Sequence, residues 1–212
     1  GMPDKNEGTV IPVDTGFLVF NHKTYPNLTA LFDHLGVGSV ESEMSFAVSL
    51  ESPALEWAGS SLATVFGQKR NLVRPEFWRM LADILRFNRL ATALAEQGAD
   101  AALTEAIGDF LDRHRFGPTF RNAYLLPMLG CIWSCPTDQM LRFPVATMIR
   151  FCHNHGLIQI TNRPQWHTVA GGARQYVDKI VAGIADRRLN TPVQQVLRDA
   201  DGVRVVTEGR VE

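Results

Sequence analysis

Apolar and polar positions alternate with two different periods along this chain, and the change of period divides it. Near the start, Val13-Asp14-Thr15-Gly16-Phe17-Leu18-Val19-Phe20 reads as a strand that stops at a glycine turn. Leu28, Leu31, Phe32 and Leu35 then fall at i, i+3, i+4 and i+7, the single stripe of a helix from about Pro26 to Leu35. Pro26 suits a first turn, where its missing N–H costs nothing, and Gly36 suits a left-handed stop. Phe46, Val48 and Leu50 alternate with small polar neighbours, the period of a half-buried strand. Leu55-Glu56-Trp57 is its hairpin mate across Glu51-Ser52-Pro53.

From Ser60 to Gly156 the period becomes helical. A short helix around Ser61 to Phe66 is capped by serine, and a long one opens at Pro75 and ends at Gly98. Phe77, Trp78, Leu81, Ile84, Leu85 and Leu90 are its expected buried face. Thr104 and Glu105 start another helix with Ile107, Phe110 and Leu111 inward. Thr119 to Met128 reads as a further helix that Pro127 should kink or stop. Thr137 caps a brief turn, and Val145 to His155 closes the helical stretch.

Strand spacing then returns. Leu157 to Thr161 and Gln165 to Val169 flank Asn162-Arg163-Pro164 as an expected hairpin. Gly171-Gly172 opens a helix with Tyr176, Val177, Ile180, Val181 and Ile184 inward. Val193 to Leu197 and Val203 to Thr207 flank Asp199-Ala200-Asp201-Gly202, a strong turn signal. The pattern predicts an α+β fold, a mixed or antiparallel sheet with one face covered by a helical insert. Three portions follow: a strand-rich shoulder over 1–59, a helical part over 60–156, and a hairpin shoulder over 157–212.

Composition narrows the function classes. Of 212 residues, 45% are hydrophobic and 20% charged, and the formal net charge is −1 with both signs interspersed. That balance is globular and carries no nucleic-acid footprint. No apolar run reaches the roughly 18 residues a membrane span needs. Three cysteines, an odd number, argue against a disulfide framework and for a reducing, cytoplasmic setting.

The order of Asp14-Thr15-Gly16, then Tyr25-Pro26 and a helix ending at Gly36, resembles the second sequence block of flavin-containing amine oxidases and phytoene-desaturase-like flavoproteins. Trp166-His167-Thr168-Val169-Ala170-Gly171-Gly172, a helix, Leu189-Asn190-Thr191-Pro192-Val193 and the Asp-Gly hairpin resemble the segment that re-enters the FAD domain of the same family. The resemblance covers Val10 to Val211. It implies FAD as cofactor, hydride transfer to flavin from an amine or hydrophobic substrate, and cofactor contacts at Gly16, Phe17, Leu18, Trp166, Val169, Gly171, Gly172 and Val193. The family's G-x-G-x-x-G phosphate motif is absent from this sequence. The chain is therefore expected to be the substrate-binding portion of an FAD-dependent oxidoreductase. It would be inactive alone and partnered by a missing FAD-binding segment, with homodimerisation through exposed edge strands as a further expectation. The alternative is a non-catalytic module that binds a hydrophobic ligand or docks a subunit.

Other chemistry is weaker. Cys131, Cys135, Cys152, His153 and His155 have superficial zinc spacing, but consecutive helical residues point to different faces, and buried cysteine with solvated histidines is expected instead. Asp14 beside the glycine turn is expected to cap backbone rather than act as a base. Lys69, Arg70, Arg74 and Arg79 read as a solvated basic face. No nucleophile motif is present, so catalytic residues stay unassigned.

Overall fold

The computed structural model describes residues 2–3, 10–11, 13–16, 18–98, 104–159, 162–208 and 210–211. The chain forms two compact units: 1–18, 30–39 and 169–212 in one, 19–29 and 40–168 in the other.

In chain order, β1 (Met2–Pro3) pairs antiparallel with β2 (Val10–Ile11), and α1 spans Pro26–Leu35. The described residues of 13–19 form no strand; only Phe20 makes an isolated antiparallel bridge, to His167. Helix α1 ends as its sequence dictates. Gly36 adopts φ +61°, its N–H donates to the Asp33 carbonyl, and the Val37 N–H donates to the Phe32 carbonyl. Those two bonds satisfy carbonyls that the last helical turn leaves orphaned.

The larger unit holds the principal core. Strand β3 (Ser39–Ser42) enters it. Strands β4 (Ala47–Glu51) and β5 (Ala54–Ala58) form a hairpin with Glu51 opposite Ala54, so Ser52-Pro53 makes the turn. Val48, Leu55 and Trp57 alternate inward as the period requires. Arg70 and Arg74 each donate to the Ala54 carbonyl, at 3.1 and 3.0 Å. Two members of the expected basic face therefore tie down the hairpin end.

Helix α2 (Leu62–Val65) carries the expected cap: Ser61 Oγ accepts the Thr64 N–H, and Thr64 Oγ1 accepts the Ser61 N–H. After a 3-10 turn (Lys69–Val73) comes α3 (Pro75–Glu96). Its buried face is Phe77, Met80, Phe87, Asn88 and Ala91, while Trp78 and Leu85 are each 49% exposed. Of the expected stripe, Phe77 is buried and Leu81, Ile84 and Leu90 pack partly buried against the core, whereas Trp78 and Leu85 face out. A 22-residue helix offers several overlapping i, i+3/i+4 series, and the neighbours decide which one is used. Trp78 lies over Phe66 and donates its indole N–H to the Leu72 carbonyl.

Helix α4 (Ile107–Arg113) buries Ile107, Phe110 and Leu111 completely. It begins after Thr104 and Glu105, so Thr104 is not its cap. It ends through a left-handed Arg115 (φ +54°), with the Phe116 N–H on the Leu111 carbonyl. Arg86 holds this costly turn: it donates to the carbonyls of His114 and Arg115, pairs with Asp83 at 2.8 Å, and stacks over Phe116.

Helix α5 (Pro118–Phe120) continues through a π-helical turn (Arg121–Leu125) into α6 (Leu126–Trp133). Pro127 therefore neither stops the helix nor ends it at Met128. In an α-helix, residue 127 would donate to the Ala123 carbonyl, and proline has no N–H. The backbone widens into the π turn just before it, and the Trp57 indole N–H donates to the Ala123 carbonyl at 3.1 Å. Helices α7 (Thr137–Met140) and α8 (Val145–Asn154) follow; Thr137 makes no side-chain cap. Helix α8 ends through Gly156 at φ +69°.

Strand β6 (Trp166–Val169) pairs with the distant β3 rather than with the segment just before it. The expected Leu157–Thr161 hairpin partner is corrected here: Leu157 and Ile158 are turn, Gln159 is irregular, and Ile160-Thr161 lie outside the described residues. Among the described residues the expected single sheet is replaced by small separate ones, and it is the β4–β5 hairpin that buries its inner face in the core of the larger unit.

The smaller unit contains α9 (Arg174–Ala182) and the meander β7 (Val193–Arg198), β8 (Val203–Thr207) and β9 (Arg210–Val211). The Asp199 carboxylate accepts the N–H groups of Asp201 and Gly202, closing the turn. Helix α9 has no buried side chain. Val177, Ile180 and Ile184, expected inward, are exposed.

Replacing Trp57 by Phe keeps an aromatic ring but removes the donor to Ala123 together with part of the buried indole. The expected loss is about 1–3 kcal/mol, the cost of a buried carbonyl left unpaired. Urea unfolding of the variant checks it; an unchanged midpoint would show that another donor serves Ala123.

Candidate functional site

The smaller unit gathers most of the residues expected near a cofactor. Val169 and Gly172 form a turn, the Gly172 N–H donating to the Val169 carbonyl at 3.0 Å. Gly171 and Gly172 take φ +76° and +89°, a backbone conformation that β-carbons disfavour. That turn lifts the chain directly into α9.

The group facing it is Asp14. Both carboxylate oxygens accept the Ala173 N–H, at 3.1 and 2.9 Å, across 159 residues of sequence. A β-carbon on Gly172 would meet them at 3.3–3.4 Å. Asp14 is therefore a backbone cap, but its target is a distant helix rather than its own turn. The N-terminus of α9, where a positive dipole end and free N–H groups invite an anion, receives the chain's own carboxylate.

The other end of the tether uses the opposite charge. Lys179, in the last turn of α9, donates to the carbonyls of Leu35 and Gly36, each at 2.8 Å. These sit at the C-terminal end of α1, where a cation is favoured. Tyr176 packs on Phe32 at 5.3 Å between ring centroids. Lys179 carried no sequence signal beyond being a lysine in a final helical turn.

The remaining expected contacts are distributed as follows. Gly16 is exposed, and no atom lies within 4 Å of where its β-carbon would stand. Leu18 is exposed, and Phe17 lies outside the described residues. Val169 is buried. Val193 is 56% exposed on β7. Trp166 belongs to the larger unit, where it is buried with its ring parallel to that of His155, 6.4 Å between centroids.

His155 is the better-fixed polar group of the larger unit. Its Nδ1 lies 2.9 Å from the Phe151 carbonyl and donates to it, which leaves Nε2 to accept from the Tyr25 hydroxyl at 3.4 Å. The ring stacks on Phe151 at 4.0 Å, and burial raises the Tyr25 pKa above its ordinary value. In the sequence His155 stands out only as a member of the superficial zinc spacing and as a histidine just before a helix-ending glycine. Cys152 is fully buried, and burial pushes its thiol up to about 12, whereas Cys131 is exposed. The neighbouring His153 is half-buried. Among the described residues no group of three or more His, Cys, Asp or Glu side chains is arranged to hold a metal ion.

These residues fit FAD in part. The open backbone at Gly16 and exposed Leu18 suit a flat apolar ring. The Gly171-Gly172 turn does not suit the pyrophosphate, since Asp14 fills the helix end that would receive it. No helix among the described residues is long and apolar enough to cross a membrane. A family model described as flavin containing amine oxidoreductase matches residues 3–212, and no curated protein matches the chain.

Asp14→Ala removes the cap from α9 and is expected to cost about 0.5–2 kcal/mol. Asp14→Asn, which retains an oxygen acceptor, should cost less. Urea unfolding of both variants checks the order; equal stability of wild type and Asp14→Ala would deny the cap its role.

Proposed function

The chain belongs to the family of flavin-containing amine oxidoreductases, and from that premise we propose that it forms the substrate-binding portion of an FAD-dependent oxidoreductase. FAD, when bound, would supply the hydride acceptor for an amine or another hydrophobic substrate, and the protein would contribute binding, orientation and exclusion of water. In this reading the larger unit supplies the apolar body against which substrate is held, and the smaller unit supplies flanking contacts to the cofactor through Gly16, Leu18 and Val193.

One observation carries the division of labour. Asp14 occupies the α9 N-terminus, so these residues offer no phosphate cradle at the position where the glycine pair would place one. The cradle comes from polypeptide outside these 212 residues, whether covalently continuous or separate. Exposed Val177 and Ile180 on α9 and Ile184 just beyond it, with Val193, Val196 and Val203 on the hairpin, support that assignment. They are apolar positions at the correct period to be covered by such a segment.

FAD titrated into the 212-residue chain should show no saturable quenching of flavin fluorescence. Co-expression with a nucleotide-binding βαβ segment of the family should give a protein with flavin absorbance. Saturable binding of FAD by the chain alone would refute the proposal.

A further inference from the structure

A cleft of about 430 Å3 in the larger unit is lined by Lys23, Thr24, His153, Asn154 and His155. None of these is acidic. Lys23 brings a positive charge, is exposed, and has no ion-pair partner among the described residues. Asn154 brings an amide that can donate.

The walls are preorganised. Asn21 is fully buried, accepts the Thr24 N–H on its Oδ1 at 2.9 Å, and accepts the Tyr25 N–H on its carbonyl at 3.1 Å. This fixes the turn that presents Lys23 and Thr24. His155 is held by the Phe151 carbonyl, the Tyr25 hydroxyl and the Phe151 ring. The C-terminal carbonyls of α8 would ordinarily repel an anion. Here those of Phe151, Cys152 and His153 are each taken by an N–H, from His155, Leu157 and Gly156.

We propose that this cleft binds a small oxyanion, a phosphate or carboxylate group, with Lys23 supplying the charge and His153 and Asn154 the hydrogen bonds. Nothing in this assignment depends on the flavin. The test titrates inorganic phosphate and acetate separately into the 212-residue chain while backbone amide resonances are followed. Saturable shifts centred on residues 23–24 and 153–155 are expected for at least one of the two anions. Lys23→Glu should weaken that binding about tenfold or more, and Lys23→Ser should weaken it in the same direction. Saturation by phosphate alone assigns a phosphoryl ligand, and saturation by acetate alone a carboxylate. Saturation by neither, or affinity unchanged in both Lys23 variants, overturns the proposal.

Discussion

The bond between the Asp14 carboxylate and the Ala173 N–H governs what the glycine-rich re-entry can do. A glycine pair before a helix is a place where backbone can approach a ligand and a dipole can hold negative charge. Once a carboxylate from the same chain sits there, that capacity is spent internally. The consequence is structural as well as functional. Helix α9 has no fully buried side chain, and its apolar contact is limited to half-buried positions such as Tyr176 on Phe32. Charge adds a hold at each end, with Asp14 on the Ala173 N–H and Lys179 on the Leu35 and Gly36 carbonyls at the end of α1. Contacts of that kind, half-exposed and charge-assisted, are worth on the order of 1 kcal/mol each.

The larger unit depends on a different physics. Its core residues are mostly aromatic and aliphatic, and its polar bonds repair defects that packing imposes. Pro127 lies inside a continuous helical stretch because a π turn and the Trp57 indole absorb the lost backbone bond. Arg115 takes a left-handed conformation without being glycine, and Arg86 holds the carbonyls on either side of that turn. Each repair uses a side chain distant in sequence, so each defect is affordable only in the folded context.

That distinction explains what could be read from the sequence. Local chemistry was legible: the Gly36 stop, the Ser61 cap, the Ser52-Pro53 turn, the Asp199 loop and the inward face of α4 follow from residues within a few positions of one another. Long-range pairing was not. The outward placement of Trp78 and Leu85 on α3, the strand-like alternation in which Leu157 and Ile158 become turn, and the partner of β6 depend on which surface arrives from elsewhere. At the candidate site, Asp14 was correctly a cap, but no local pattern could name Ala173 as its target. The alternation that marked Val177, Ile180 and Ile184 as inward described a face these residues leave exposed.

Amide hydrogen exchange at Ala173, with and without FAD, tests most directly whether Asp14 closes the α9 N-terminus to the cofactor. The account predicts slow exchange that is the same in both conditions. Exchange that changes with saturating FAD, in step with displacement of the Asp14 carboxylate, would contradict it.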